Sequence, residues 1–264
     1  MAVETPGGSA TETRSASVIV NVIEVLRCFT VDEPLLGVTE IAARVGLHKS
    51  SISRILATLE TENIVERDEP TRKYRLGLGL IAVAGPLLAN LDVRRVSFPV
   101  LQDLSERTGE TAVLTIWDGA ESVSVEQIPS RHLVKHTSPM GSRYNTALSA
   151  SVQAFLAHEP EARVRQLIVS GRVQLHGKDD AAIEAYLARL DGVRERGYAV
   201  NHGETSIEEV GIAAPVRDHR GAVVAAVLVA APYYRVTEDV LDSLGVACRR
   251  AASEVGARLG GTSR

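Results

Sequence analysis

The stretch Val38 to Leu59, VTEIAARVGLHKSSISRILATL, constrains this chain more than any other, because it reads as two short amphipathic helices meeting at Gly46. Ile41, Ala42 and Val45 make one apolar stripe, and Ile52, Ile55, Leu56 and Leu59 make a second at helical spacing. Two such stripes can pack on each other. Thr39 or a neighbour can cap the first helix, with Glu40 near its start, and Gly46 suits its end. The second helix then opens at Lys49, Ser50 or Ser51. A helix-turn-helix sets its second helix in the major groove, N-terminal residues toward base edges. Here that end offers His48, Lys49, Ser50, Ser51, Ser53 and Arg54, short donors and cations. No Asp or Glu occurs between Ile41 and Leu59, while Arg44, Lys49 and Arg54 are positive, as contact with phosphate requires. The alternative is a small helical hairpin with a solvated basic face.

The following residues favour the DNA reading. Ile64 to Arg67 and Tyr74 to Leu76 are short strand candidates around a polar turn containing Pro70. They sketch a wing whose tip would carry Arg72 and Lys73 to neighbouring phosphates or the minor groove. Upstream, Val18, Val22, Val25, Leu26 and Phe29 form a helix face able to complete a small core. A winged helix-turn-helix over residues 14–76 is expected, preceded by a disordered Gly, Ser, Thr and Pro-rich tail, 1–13.

With 264 residues and 45% hydrophobic content, the chain has material for two packed domains. Its net charge of −4 confines any DNA contact to a local patch. Cys28 and Cys248 have neither metal-ligand spacing nor a disulfide framework. No apolar run resembles a signal or a membrane span, so no membrane partner and a cytoplasmic location are expected.

Residues 77–92 begin GLGLIAVAGPLLANL, apolar nearly all round until Gly85-Pro86 is expected to interrupt the helix. Such a linker helix needs a partner, either the second domain or the same helix of another subunit, which predicts self-association. Its Gly77-x-Gly79-x-x-Ala82 spacing resembles a dinucleotide fingerprint, but the required βαβ unit and downstream carboxylate are missing.

From 93 to 264 the pattern mixes helices and strands without regular alternation, implying an α+β domain with an antiparallel sheet. Glu110–Trp117 and Ser122–Ile128 flank the turn Asp118-Gly119, and Leu133–Thr137 is a third strand candidate. Residues 179–196 read as helix, Val210–Val216 and Ala222–Ala230 as a second hairpin, and Thr237 opens a last helix to about Leu259. Catalytic signals are sparse. His132 and His136, on one strand, would stand about 13 Å apart, too far to share a metal. Glu204, Glu208 and Glu209 are more simply an acidic loop than a carboxylate pair. No Gly-x-Ser-x-Gly elbow occurs. No enzyme, metal or cofactor is expected; the rival classes are an enzyme using Glu204 or Cys248 and a ligand-independent DNA-binding or interaction module.

Three segments carry a family resemblance over residues 14–258: GLHKSSISRILATLE with YRLGLGL, LSERTGET from Leu104 to Thr111, and GIAAPVRDHRGAVVAAVLVAAPYYRVT from 211 to 237. On these the chain resembles the IclR-type bacterial transcriptional regulators. The resemblance implies a winged helix-turn-helix joined by a linker helix to a GAF-like effector domain that binds a small organic molecule. It also implies dimers, or dimers of dimers, on palindromic promoter DNA. Gapless matching from Pro139 and Pro232 carries the family's ligand positions to Leu133, Ala150, Ser151, Asn201, Glu209, Gly211, Leu228 and Ala230. Asn201 stands where relatives can place an acid, Gly211 where they place a cysteine, and Leu228 and Ala230 where they place hydroxyls. Val152 and Gln153 replace a Gly-Lys pair. A comparatively apolar pocket follows, suited to a larger, less polar effector, an aromatic or weakly polar acid or a molecule whose one acid group meets Ser151 and the adjacent backbone amides. Whether the protein represses or activates is not legible.

Overall fold

A computed structural model describes residues 10–89 and 92–260, with side chains for 18–85 and 93–260. The chain divides into two compact units, 1–90 and 91–264.

In the first unit, α1 (Ala10–Arg27) precedes α2 (Val38–Val45) and α3 (Lys49–Thr61). The helix of α1 therefore begins inside the expected 1–13 tail; residues 1–9 lie outside the described residues. Val25 and Phe29 enter the core with Ile41, Ile52, Leu56 and Tyr74, whereas Val18 stays exposed. Gly37, not Thr39, occupies the N-cap of α2, and its N–H donates to Glu40 Oε2 at 2.6 Å. That bond satisfies one of the free donors at the helix start. At the other end Gly46 adopts φ +73°, a left-handed cap that a Cβ disfavours. The wing is β1 (Val65–Arg67) antiparallel to β2 (Tyr74–Leu76), with Val65 opposite Leu76.

The helix α4 (Gly79–Ala89) follows, and it runs through Gly85-Pro86 instead of stopping there. A proline forfeits one intrahelical hydrogen bond, which the remaining bonds of an 11-residue helix outweigh here. Gly77 and Gly79 are explained by close approach. A Cβ on Gly77 would sit 2.3 Å from the Asn63 carbonyl oxygen, and one on Gly79 would sit 2.6 Å from it. Gly77 N–H donates to Ile64 O and Gly79 N–H to Asn63 O, at 2.8 and 2.9 Å. The Gly-x-Gly spacing thus seats the wing exit on the end of α3.

The second unit contains α5 (Asp92–Thr108), β3 (Thr111–Trp117), β4 (Ser122–Ile128) and the short β5 (Arg143–Tyr144). Then come α6 (Ala150–Leu156), α7 (Glu161–Val169), α8 (Asp180–Arg196), β6 (Ala199–His202), β7 (Glu209–Arg217), β8 (Val223–Pro232) and α9 (Glu238–Arg258). The strands form one antiparallel sheet in the order β5-β4-β3-β8-β7-β6. Alternation sorts the central strands: Leu114, Ile212, Val227 and Val229 pack with α5 and α9, while Val113, Ala213, Ala226 and Leu228 pack with α6 and α8. Both faces are covered, which is why β7 and β8 read as continuous apolar runs.

One expected strand is absent. Residues 133–137 lie in an irregular segment, 129–142, and the sheet's outer strand is Arg143–Tyr144. The segment is held by side chains: Arg235 donates to Val134 O at 2.9 Å and forms a two-pronged ion pair with buried Glu110, while Thr111 Oγ1 donates to His136 O at 2.6 Å.

Candidate functional site

Two surfaces bear the expected site residues, one in each unit. In the first unit His48 occupies the N-cap of α3, and Lys49, Ser50, Ser51, Ser53 and Arg54 occupy its first two turns, all exposed. Ile52 and Leu56, on the opposite side, are fully buried and fix which face looks outward. The first turn has no acidic residue, so the partial positive charge of the helix start adds to Lys49. Among the described residues Lys49, Arg54 and Arg72 form no ion pair, leaving their charges open to an anion. Arg44 is different: it pairs with Glu33 at 2.8 Å and donates to Cys28 O. Thr39, exposed in the first turn of α2, stands beside the Glu40 carboxylate, which its bonds to the Gly37 amide and Lys73 hold below its usual range.

The wing tip is a turn organised by Asp68, whose carboxylate accepts the Thr71 N–H and hydroxyl at 3.0 and 2.5 Å. Those bonds keep its carboxyl below the usual carboxylate range. Arg72 sits at φ +58°, an uncommon conformation for a side chain with a Cβ, and is exposed. Lys73 turns inward, and its ammonium lies 3.1 Å from Glu40 Oε1, tying the wing to α2. Of the two cations at the wing tip, Arg72 and Lys73, only Arg72 is without an acidic partner among the described residues.

In the second unit a cavity of about 240 Å³ lies on the α6 side of the sheet. Ala150 and Ser151 enter it from α6, Asn201 from β6, Glu209 and Gly211 from β7, and Leu228 from β8. Asn201 lies opposite Gly211 in the β6–β7 register, which brings these positions together. Two expected residues fall outside. Leu133 is fully exposed on the irregular 129–142 segment, and Ala230, though buried, is not in the lining.

Sequence reasoning missed half the wall: Ser138, Tyr144, Thr146 and Ser149 from the segment before α6, and Thr205 and Ser206 from the β6–β7 loop. With Ser151 these make seven hydroxyl-bearing residues, so the lining is mixed, about as polar as it is apolar, where a comparatively apolar pocket is expected from the sequence. Ser138 joins Ser124 and Tyr144 in a hydroxyl chain at 2.5 and 2.9 Å, which sets the direction of the Tyr144 phenol.

The amide groups nearby are already engaged. Asn201 Oδ1 accepts from Glu204 N and Thr205 N, and its Nδ2 donates to Thr205 Oγ1, so Asn201 shapes the loop. Gln153 donates to Leu148 O and Val200 O and accepts from Arg189 Nε. Arg189 in turn grips Glu204 through two oxygens, at 2.6 and 2.5 Å, and donates to Val200 O. Gln153 and Arg189 are therefore braces behind the wall. Glu209 is the one ionisable acid in the lining, and no cation joins it there.

The residues weighed as catalytic alternatives are engaged in packing and pairing. Cys248 is fully buried, with Sγ 3.0 Å from Val227 O, and burial pushes its thiol up to about 12. Glu204 is spent on Arg189, and His136 Nε2 lies 2.9 Å from Glu208 O, where it donates. Among the described residues no three His, Cys, Asp or Glu side chains could hold a metal, and no helix is long and apolar enough to cross a membrane.

Comparison with known proteins matches both units to one family. Residues 18–69 match the IclR helix-turn-helix domain, and residues 86–257 match the bacterial transcriptional regulator IclR C-terminal domain. The HTH-type transcriptional repressor AllR of Escherichia coli K12 is 29% identical over 225 residues, covering 85% of this chain and 83% of AllR. A solved domain of an IclR-family transcriptional regulator is 61% identical and covers 66% of this chain and 99% of its own, with TM-score 0.64. An IclR homologue of Microbacterium hydrocarbonoxydans, solved with 4-hydroxybenzoate, is 25% identical and covers 92% of this chain and 99% of its own, with TM-score 0.74.

Proposed function

The chain belongs to the IclR family of DNA-binding bacterial transcriptional regulators, and from that premise we propose how its residues divide the work. The winged helix-turn-helix, 14–76, docks α3 in the major groove, with Ser50, Ser53 and Arg54 toward base edges. His48, Lys49, Ser51 and Thr39 hold the backbone, and Arg72, with Lys73 in support, reaches the flanking phosphates. The linker helix, 77–92, joins two copies, so that paired recognition helices meet a palindromic operator. The effector domain, 93–264, receives a small organic molecule in the cavity between Ser151, Glu209 and Gly211, as the Microbacterium relative receives 4-hydroxybenzoate. A ligand that prefers one arrangement of the dimer shifts operator affinity by the ratio of its two affinities.

The observation that carries this reading is the face of α3, where Lys49 and Arg54 are exposed and, among the described residues, without ion-pair partners, beside a helix start that lacks acid. Gel shifts on the DNA upstream of the gene, at several salt concentrations, test it. Arg54→Ala removes about 1–3 kcal/mol of specific binding and relaxes base preference, whereas Arg72→Ala weakens all sequences alike and lowers the salt slope by about 1. Equal, sequence-independent losses for the two variants would refute the groove assignment.

A further inference from the structure

A second recess opens where the β7–β8 turn meets the ends of α6 and α8 and the C-terminal half of α9, a cleft of about 610 Å³. Arg217, in its wall, lies six residues along β7 from Gly211, about 20 Å at ~3.3 Å per residue. The cleft is therefore separate from the cavity beside Ser151. Four arginines line it, Arg194, Arg217, Arg220 and Arg249, against one acid, Asp218. Asp218 is committed to the turn, where its Oδ1 accepts the Arg220 and Ala222 N–H groups at 2.8 and 3.0 Å. Arg194 is paired with Asp191 and donates to Ala157 O at the end of α6. Arg217, Arg220 and Arg249 have no acidic partner among the described residues.

Holding the turn and capping helix ends account for only part of this cluster. Arg217 donates to Gly221 O at 2.8 Å and to the His158 ring at 2.9 Å. Arg249 donates to Arg196 O at 3.2 Å, and Arg220 to the His219 ring at 3.3 Å. A guanidinium carries five N–H donors, so most of theirs stay unspent. The backbone around them is closely fitted. A Cβ on Gly256 would sit 2.5 Å from Arg217 O, and one on Gly197 would sit 2.9 Å from Arg249 Cδ. These glycines let α9 and the end of α8 close on the arginines. His158 registers the resulting field: burial first, then the Arg217 and Arg194 charges, lower its pKa from 6.5 to about 4.

We infer that this cleft binds a phosphorylated small molecule, with the phosphate between Arg217, Arg220 and Arg249. Planar guanidinium forks match phosphate oxygens in pairs, and each such bond is charge-assisted. A phosphomonoester brings a charge of about −1.5 to −2 at pH 7 to one point, which answers several unpaired arginines at once. The volume falls within the roughly 300–1,000 Å³ of small-molecule sites. The arginines line a recess, whereas duplex DNA is met by a basic patch or stripe spread over one face. A compact anion fits this setting better than a polymer backbone.

The test titrates the full-length protein with pyrophosphate, ribose 5-phosphate, ribose and succinate, a dianion without phosphate. About 150 mM salt screens loose surface attraction. Calorimetry should give pyrophosphate or ribose 5-phosphate a Kd below about 1 mM, with ribose and succinate at least tenfold weaker. Arg220 and Arg249 are exposed, so Arg220→Gln with Arg249→Gln keeps the fold and should weaken the phosphates tenfold or more. Lysine at both positions should restore part of that loss, because it keeps the charge without the fork. The imidazole NMR signal of His158, identified by its loss in His158→Gln, should shift on phosphate addition, since a bound anion raises its pKa. Phosphate binding weaker than about 1 mM, succinate binding equally well, an unchanged affinity in the double Gln variant, or a silent His158 signal overturns the inference. A Cβ on Gly211 would lie 3.5 Å from Ala150 and 3.6 Å from Leu228, and a valine there projects into the other cavity. Phosphate binding retained in Gly211→Val supports the cleft, and binding lost in a folded Gly211→Val protein overturns it. Displacement of ribose 5-phosphate by a random-sequence duplex would assign the arginines to DNA and overturn it as well.

Discussion

Gly77→Ala is the sharpest test of how the wing is held. The added methyl carbon would lie 2.3 Å from Asn63 O, 3.0 Å from Asn63 C and 3.2 Å from Ile64 C. All three are backbone atoms, so no rotamer change relieves them, and ordinary contact near 3.5 Å requires a displacement of about 1 Å. Asn63 is itself fixed at φ +55°, and its amide bonds Glu60 O at the end of α3, so the wing exit must move instead. Moving it strains two hydrogen bonds, Gly77 N to Ile64 O and Gly79 N to Asn63 O. Overpacking costs about 1–3 kcal/mol and each of the two weakened bonds up to about 1 kcal/mol, giving a loss of roughly 1–5 kcal/mol. Urea unfolding followed by circular dichroism measures this. The chain's one tryptophan, Trp117, stacks on Phe155 at 5.4 Å in the second unit, so its fluorescence separates that unit's transition. Operator affinity should fall as well under conditions where the variant remains folded, because the wing carries Arg72. If the two glycines instead served a bound dinucleotide, the ligand-free variant would be as stable as wild type, and a loss below about 0.5 kcal/mol would refute the packing argument.

Acid should destabilise the second unit through His158, and the self-association of the chain should run through α1 and α4. Burial first, then the Arg217 and Arg194 charges, lower the His158 pKa from 6.5 to about 4, and Arg217 donates to its ring at 2.9 Å. The folded state therefore stays unprotonated while the unfolded chain takes up a proton, so stability present above pH 6.5 is lost as pH falls toward 4. Discounted for a partly solvated ring, this is about 1–2 kcal/mol, and His158→Gln should flatten that stretch of the stability profile; an unchanged slope would count against it. Ile19, Leu78, Ile81 and Val83 are 61–72% exposed, large apolar side chains that a second copy could cover. Sedimentation at micromolar concentration should give at least twice the 28.3 kDa chain mass, and Ile81→Lys with Val83→Lys should lower it, whereas a monomeric wild type would exclude this surface as an interface.

How much could be read in advance depended on whether a residue's position is governed by a period. Ile52 and Leu56 announced their buried face because the helix repeat leaves one side for the core, and β4 followed directly from the turn at Asp118-Gly119. Strands also explain why carrying ligand positions by gapless matching placed Asn201, Glu209, Gly211 and Leu228 in one cavity. A one-residue slip would turn each side chain to the α5–α9 side, so burial on both faces holds the register. No such constraint acts on the 129–142 segment, where Leu133 is fully exposed although Thr111 and Arg235 anchor its neighbours. The same reasoning explains why half of the lining went unread. Ser138, Tyr144, Thr146, Thr205 and Ser206 reach the cavity from short or irregular stretches, where neither helical nor strand spacing predicts direction. What brings Thr205 and Ser206 inward is a tertiary brace, the Asn201 side chain on the loop backbone and Arg189 on Glu204, joining residues that sequence spacing does not pair. Substitutions in those loops would change the cavity wall while the sheet register and the core beneath it stay intact.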